Sequence, residues 1–234
     1  CAKVINLNEV KSKNSNVKVE AKETPSIDSL AWAASIALAP TMGSASTLPF
    51  TFSGGGAGSI NRVARKAKAY VENAKSIKAS NGDLIVQVNP DGDSKITANV
   101  GAGSAGSVSI GVALSRNYIG WKDAWVGSDQ RGDDEVHAYI KGSNIESAEK
   151  VTVTSSEASE IISNVGAISF GLAYNEKGSA LTFSGAGIES TNRIGVDVRA
   201  YIEDSKLPAS EAEVAIQATD KSTIKSYGAA GVMA

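Results

Sequence analysis

The sequence predicts an all-β protein built as a right-handed parallel β-helix. Three observations lead to this prediction: a short motif of alternating branched side chains occurs four times, its copies are almost evenly spaced, and the composition favours strands. Repetition at a nearly fixed period is typical of solenoid proteins, in which each repeat stacks on the next.

The repeated motif begins with a valine, has a second branched residue two positions later, and has an isoleucine ten positions after its start. In a strand, residues two positions apart share one face, so this alternation predicts strands that bury their branched side chains. We expect one shared core from equivalent positions: Val17, Val86, Val151 and Val214 at the motif starts, and Ile27, Ile96, Ile161 and Ile224 at the motif ends.

The length of the repeat suggests how the chain is wound. A unit of about 63–69 residues divides into three coils of about 21–23 residues, a usual coil length for a parallel β-helix. We therefore predict three such rungs per unit, with identical positions stacked about 4.8 Å apart. The alternative is a string of antiparallel β-sandwich modules. The hairpin-type dipeptide Asn81-Gly82 and several Gly-Asp pairs keep this alternative open.

Two further repeated boxes define the units. An Ala-Tyr box followed by a β-branched residue begins at Ala69, Ala138 and Ala200, and a Phe-Ser-Gly box begins at Phe52 and Phe183. The asparagine before the Ala-Tyr box lies farther from the tyrosine in the middle unit than in the others, which indicates an insertion of about 13 residues there. We expect a single β-helical segment over residues 1–234, cut from a longer array: a partial unit 1–40, units of about 41–110, 111–175 and 176–234, and an inserted loop at 118–135.

Composition and charge exclude several classes of protein. The chain is 42% apolar but only 6% aromatic, and it has 23 glycines, which suits short strands with tight corners. The net charge of −2 gives no electrostatic reason to expect nucleic acid or an anionic membrane as a partner. No apolar run approaches the roughly 20 residues of a membrane span. The single cysteine, Cys1, excludes an internal disulfide. It is either a lipid-modified N-terminal residue or simply the place where this segment starts.

Taken together, the motifs resemble the repeats of giant bacterial surface adhesins, the filamentous-haemagglutinin-like proteins of Gram-negative bacteria. The matching elements are the Ser-Arg-Asn-Tyr-Ile-Gly segment at residues 115–120, the Ala-Tyr-Ile boxes, and the Val-Thr-Val-Thr type of run followed by Ile161 or Ile224. The resemblance implies export to the bacterial cell surface, a parallel β-helix, and a role in adhesion or as a spacer. The partners it implies are neighbouring repeats of the same chain and a surface glycan or protein receptor. Unpaired strand edges at the ends of such a segment also predict end-to-end self-association.

The inserted loop contains the candidate ligand-binding residues. Loops that project from a regular scaffold commonly carry function. Exposed tryptophans stack on sugar faces and anchor interfaces, and the alternative is that they fold back to cover the coil. The sequence Arg131-Gly132-Asp133 spells an integrin-type tripeptide, although a match of three residues is weak. The candidate binding residues are Trp121, Trp125, Arg131 and Asp133.

The same loop contains the candidate metal ligands and the only candidate catalytic group. Ca²⁺ prefers six to eight oxygen ligands, and four acidic residues lie close in sequence, although they match no known calcium-loop pattern and solvated turns are the simpler interpretation. A β-helical lyase or glycosidase would need grouped carboxylates with a base. The sole histidine, His137, lies near them at an outward strand position. The candidate Ca²⁺ ligands are Asp129, Asp133, Asp134 and Glu135.

From the sequence we therefore expect a non-enzymatic, extracellular structural or adhesive segment with no cofactor other than a candidate Ca²⁺. The alternative is a carbohydrate-binding or polysaccharide-cleaving β-helix that uses the loop at residues 121–135.

Overall fold

The computed structural model describes residues 1–38, 51–89, 92, 94–121, 131–173, 181–208 and 212–234. The described residues form strands and no helix, so the predicted all-β class is confirmed. The strands of the first half are β1 (Ala2–Ile5), β2 (Val10–Ser12), β3 (Val17–Ala21), β4 (Ser26–Ile36), β5 (Phe52–Val63), β6 (Lys66–Glu72), β7 (Ile77–Ala79), β8 (Leu84–Val88) and β9 (Lys95–Gly106). Those of the second half are β10 (Val108–Ile119), β11 (Glu135–Lys141), β12 (Ile145–Ser147), β13 (Lys150–Glu157), β14 (Glu160–Gly171), β15 (Phe183–Ile194), β16 (Asp197–Glu203), β17 (Glu213–Asp220) and β18 (Thr223–Met233).

These strands form five parallel sheets. In the order in which the chain first enters them, they are sheet 1 (β1-β6-β11-β16), sheet 2 (β2-β7-β12), sheet 3 (β3-β8-β13-β17), sheet 4 (β4-β9-β14-β18) and sheet 5 (β5-β10-β15). Strands that are consecutive in sequence enter different sheets, and each sheet collects the corresponding strand of successive repeats. The antiparallel sandwich alternative is therefore wrong.

The pairing also corrects the predicted coil length. Ile96 pairs with Ile27 and with Ile161, each a whole repeat away, and Val10 pairs with Ile77 in the same manner. Among the described strands, no pairing joins residues at the short spacing of the predicted coils, so the prediction of three short coils per unit is wrong. The physical reason is side-chain matching. Each valine-rich, tyrosine-containing or small-residue strand pairs with its counterpart one repeat away, because the inward and the outward side chains of the two strands then match.

The valine register differs from the predicted one by two positions in the second unit. Leu84 pairs with Val17 and Val151, while Val86 pairs with Val19 and Val153. A shift by two positions keeps every side chain on the same face, so Leu84, Val86 and Val151 are all fully buried.

The last copies of the motif are more exposed than predicted. Val214 is 40% exposed and Ile224 is 46% exposed. They lie on β17 and β18, each of which pairs with a neighbour on one side only.

The buried residues form three clusters. The largest fills the space between sheets 1, 2 and 3 and contains Val86, Ile140 and Val151. Sheets 4 and 5 face each other across valines and alanines such as Val100, Ala113 and Ala167. A third cluster around Ile96, Ile119 and Ile161 lies where the strands of sheet 4 begin and the strands of sheet 5 end.

Two side-chain ladders follow the stacking direction. The Tyr139 ring stacks between Tyr70, with centroids 4.7 Å apart, and Tyr201, with centroids 5.0 Å apart. On sheet 5, the Asn61 amide donates to Asn117 Oδ1 and the Asn117 amide donates to Asn192 Oδ1, each at 2.8 Å. Each ladder contains one residue from each of three successive repeats.

The strand bounds also narrow the inserted segment. β10 continues through Ile119 and β11 begins at Glu135, so the excursion covers residues 120–134 instead of 118–135. The equivalent connections after Val63 and Ile194 are two residues long. The excursion begins at Gly120, whose φ of +76° favours glycine.

Candidate functional site

The predicted loop is closed at its base by Trp121 and Arg131. These two residues form an antiparallel bridge, and the Gly132 amide donates to the Gly120 carbonyl at 2.8 Å. The Arg193 guanidinium lies 5.1 Å from the centroid of the Trp121 ring system, a cation–π arrangement. Trp121 therefore packs on the neighbouring repeat, and its role in ligand binding stays a prediction. Trp125 and Asp129 lie outside the described residues.

The acidic residues at the end of the loop have separate partners. Asp134 is buried and accepts a hydrogen bond from the backbone amide of Arg65 at 2.9 Å. Burial raises the pKa of this carboxyl group above its ordinary value. Glu135 forms an ion pair with Lys68, and the hydrogen bond from Lys68 lowers the pKa of Glu135. Asp133 lies on the exposed surface beside them.

This arrangement does not assemble the predicted calcium site from the part of the chain that the structure describes. Within that part, no group of three or more His, Cys, Asp or Glu residues is placed to hold a metal ion. The predicted set of four carboxylates also includes Asp129, which lies outside the described residues, so the calcium site stays a prediction.

His137 occupies the outward position predicted for it, between Lys68 and Arg199 on the paired strands. Its Nε2 lies 3.2 Å from Asp197 Oδ2, and Asp197 also accepts a hydrogen bond from Arg199 at 2.9 Å. Although Asp197 is partly buried, which raises its pKa, its contacts with Arg199 and His137 outweigh this effect and its pKa is lowered. The contact joins two neighbouring strands of sheet 1.

A buried ion pair that sequence reasoning missed lies next to Asp134, which accepts a hydrogen bond from the backbone amide of Arg65. The side chains of Arg65 and Glu157 are both fully buried and contact each other, and the Ser159 hydroxyl donates to Glu157. The pair joins the turn before β6 to the end of β13. Its sequence signal is the charge of Glu157 at an inward strand position, where the alternation calls for an apolar residue.

An open groove lies elsewhere, on the outer face of sheet 4. It encloses about 340 Å³ and has Trp32 of β4 at one side and Tyr227 of β18 at the other. The exposed fractions of these two side chains are 74% and 61%. A Cβ atom at Gly101 would overlap the Trp32 ring, so this ring lies directly against the strand backbone at Gly101.

The floor of the groove combines small residues with two amides. Asn164 donates from Nδ2 to Asn99 Oδ1 at 2.8 Å, and both residues line the groove. A Cβ atom at Gly166 would meet only the Ala229 carbonyl oxygen, 4.0 Å away. None of the residues that line the groove carries a charge.

Sequence reasoning missed this groove because its residues come from four different repeats. The strand pairing aligns Leu30, Asn99, Asn164 and Tyr227 across sheet 4. One signal was available. Trp32 alternates with small residues that face the neighbouring sheet, so it must face outward.

Comparison with protein-family models, with curated proteins and with solved structures gave no match. The resemblance to adhesin repeats therefore stays a prediction. The described residues include no helix that could cross a membrane.

Proposed function

We propose that the chain is a structural segment of a large exported bacterial surface protein, in which stacked repeats form a stiff β-helical rod that mediates attachment at the extracellular surface. The observation that carries the proposal is the unbroken stacking of like side chains across repeats, with Tyr70, Tyr139 and Tyr201 forming one ladder. Such ladders join three successive repeats to one another, as a stack under tension requires.

Alternating charges support the same interpretation. The Lys78 Nζ atom lies 3.4 Å from Glu9 Oε1 and 3.0 Å from Glu146 Oε2. The Glu160 carboxylate lies 3.1 Å from Lys95 Nζ through Oε2 and 2.8 Å from Lys225 Nζ through Oε1. In-register parallel pairing places equivalent positions side by side, so a like charge at each would destabilise the stack, whereas opposite charges favour one register.

The finer architecture in this proposal is a closed, right-handed coil with one turn per repeat. Each repeat then adds only about 4.8 Å along the axis. The rod is accordingly wide relative to its rise per repeat, and equivalent outward positions of successive repeats lie at that short spacing. Neighbouring repeats of the same kind are the partners that would pair with the outermost strands, such as β17 and β18.

Single-molecule pulling from the two ends tests the rod. We expect resistance followed by stepwise release of single coils, each adding about 230 Å of contour length for about 65 residues at roughly 3.5 Å per residue. The variant Asn117→Ala should lower the force of one step and leave its length unchanged. Smooth extension without steps would contradict the rod.

Adhesion is tested by anchoring the chain to the outer surface of a non-adherent bacterium and counting the cells that attach to epithelial cells and to glass. The variant Val153→Asp places a carboxylate in the largest buried cluster and serves as the unfolded control at a matched surface amount. We expect attachment above background for the unaltered chain and none for Val153→Asp. Equal attachment of the unaltered chain and the variant would contradict the adhesive part of the proposal.

A further inference from the structure

We propose that the groove on sheet 4 is a binding site for a neutral saccharide. Its two exposed aromatic side chains, Trp32 and Tyr227, stand on either side of a floor that carries amides and glycines. This inference deepens the adhesive part of the proposed function and leaves the rod part independent of it.

The lining matches the chemistry of a sugar ring. A pyranose has an apolar C–H face, which stacks on an aromatic ring, and a rim of hydroxyl groups that donate and accept hydrogen bonds. Trp32 presents the ring, and Tyr227 presents both a ring and a hydroxyl group. The Asn99–Asn164 hydrogen bond uses one amide donor of Asn164 and the amide oxygen of Asn99, so the amide N–H groups of Asn99 and the amide oxygen of Asn164 are further donors and acceptors in the lining.

Charge and size narrow the class of ligand. The lining contains no charged residue, so an acidic glycan or a phosphate would lose its hydration without gaining an ionic partner. The volume of about 340 Å³ lies at the lower end of the range of about 300–1,000 Å³ that is usual for small-ligand sites. A short neutral oligosaccharide is the occupant that these features favour.

The site exists only in the stacked molecule. Trp32, Asn99, Asn164 and Tyr227 each come from a different repeat, and they converge because β4, β9, β14 and β18 pair in register. The paired positions span three strand spacings, or about 14 Å. Trp32 narrows this opening because its ring leans inward over Gly101.

The test begins with a glycan array containing neutral and acidic glycans, probed with the intact chain labelled at the exposed Cys1 thiol. Titration of the best neutral oligosaccharide, followed by tryptophan fluorescence and by NMR, then gives a Kd. Trp32→Ala is expected to raise the Kd roughly tenfold, the equivalent of losing one aromatic stacking contact.

A matched pair of glycine variants separates binding from folding. Gly166→Val places a side chain in the open groove, whereas Gly103→Val places one on the same face where a Cβ meets nothing within 4 Å. The first variant should abolish binding and the second should retain it, with unchanged circular dichroism for both.

Four results would overturn the proposal: no binding of any neutral glycan, binding of acidic glycans only, an unchanged Kd in Trp32→Ala, or equal losses in the two glycine variants. Sedimentation provides a further test. A dimer that Trp32→Ala disperses, in a chain that binds no glycan, would assign the groove to a second copy. Any of these results leaves the stepwise pulling response unchanged, so failure of the groove is distinguishable from failure of the rod.

Discussion

The asparagine ladder provides the sharpest test of how much the stack contributes to stability. Asn117 is fully buried, and its side chain makes three hydrogen bonds: it donates to Ser115 at 3.0 Å and to Asn192 at 2.8 Å, and it accepts from Asn61 at 2.8 Å. Asn117→Ala removes all three. At about 0.5–1.5 kcal/mol net for each bond, we expect the free energy of unfolding to fall by roughly 2–4 kcal/mol.

The matched control is Asn192→Ala. Asn192 lies on the edge strand β15, where it is partly exposed and where water replaces lost partners. The expected loss is about 1 kcal/mol or less. Urea unfolding followed by circular dichroism gives both values. Equal effects of the two substitutions, or a loss below about 0.5 kcal/mol for Asn117→Ala, would refute the argument that the central ladder stabilises the stack.

Three further predictions concern other parts of the fold. Burial, and next the charge of Glu72, raise the pKa of Tyr139 to about 12, above the ordinary value of about 10. The contribution of Tyr139 to stability is therefore fully present below about pH 10 and is lost as the pH rises towards 12. Absorbance titration at 295 nm should show a step near pH 12 that is missing in Tyr139→Phe. A Cβ at Gly55 would overlap a backbone carbonyl of the facing sheet, whereas a Cβ at Gly54 would meet nothing within 4 Å. The free energy of unfolding, measured by thermal unfolding, should therefore fall by about 1–3 kcal/mol in Gly55→Ala and hardly change in Gly54→Ala. Glu157→Ala removes one partner of a fully buried ion pair and should cost about 3–5 kcal/mol in urea unfolding, while the double variant with Arg65→Met should regain part of this loss; no recovery would contradict the ion-pair account.

The strand content of the fold was accessible from the sequence because alternation is a local signal. Ile27, Ile96, Ile161 and Ile224 pair in register as the repeat spacing implied. The slip by two positions at Val86 was not accessible, since a shift by two keeps the same face buried and leaves the hydrophobic pattern intact.

The coil length was not accessible from the spacing of the repeats. The period fixes how far apart equivalent positions lie along the chain, but it does not fix how many turns the chain makes between them. That number depends on which strands match in length and side-chain size. The small-residue strand β9 pairs with β4 and β14, which are of similar length, and not with the neighbouring, much shorter valine strand β8.

The groove on sheet 4 was not found from the sequence for a related reason. We placed the candidate site in the inserted loop because the loop departs from the repeat. In the structure, Trp121 of this loop packs against Arg193. The groove instead arises from regular strands, and its walls, Trp32 and Tyr227, lie near opposite ends of the sequence. Such a site becomes visible only when the strand partners are known.

The most direct test of the central claim is proximity between residues one repeat apart. Gln87 and Thr154 are paired outward residues on β8 and β13, whereas Val108 follows Gln87 at the spacing of one predicted short coil and lies on a different sheet. With Cys1 replaced by serine, cysteines at 87 and 154 should be joined efficiently by a short bifunctional maleimide within one molecule, as detected by proteolysis and mass spectrometry. Efficient joining of cysteines at 87 and 108, with none between 87 and 154, would contradict pairing across whole repeats.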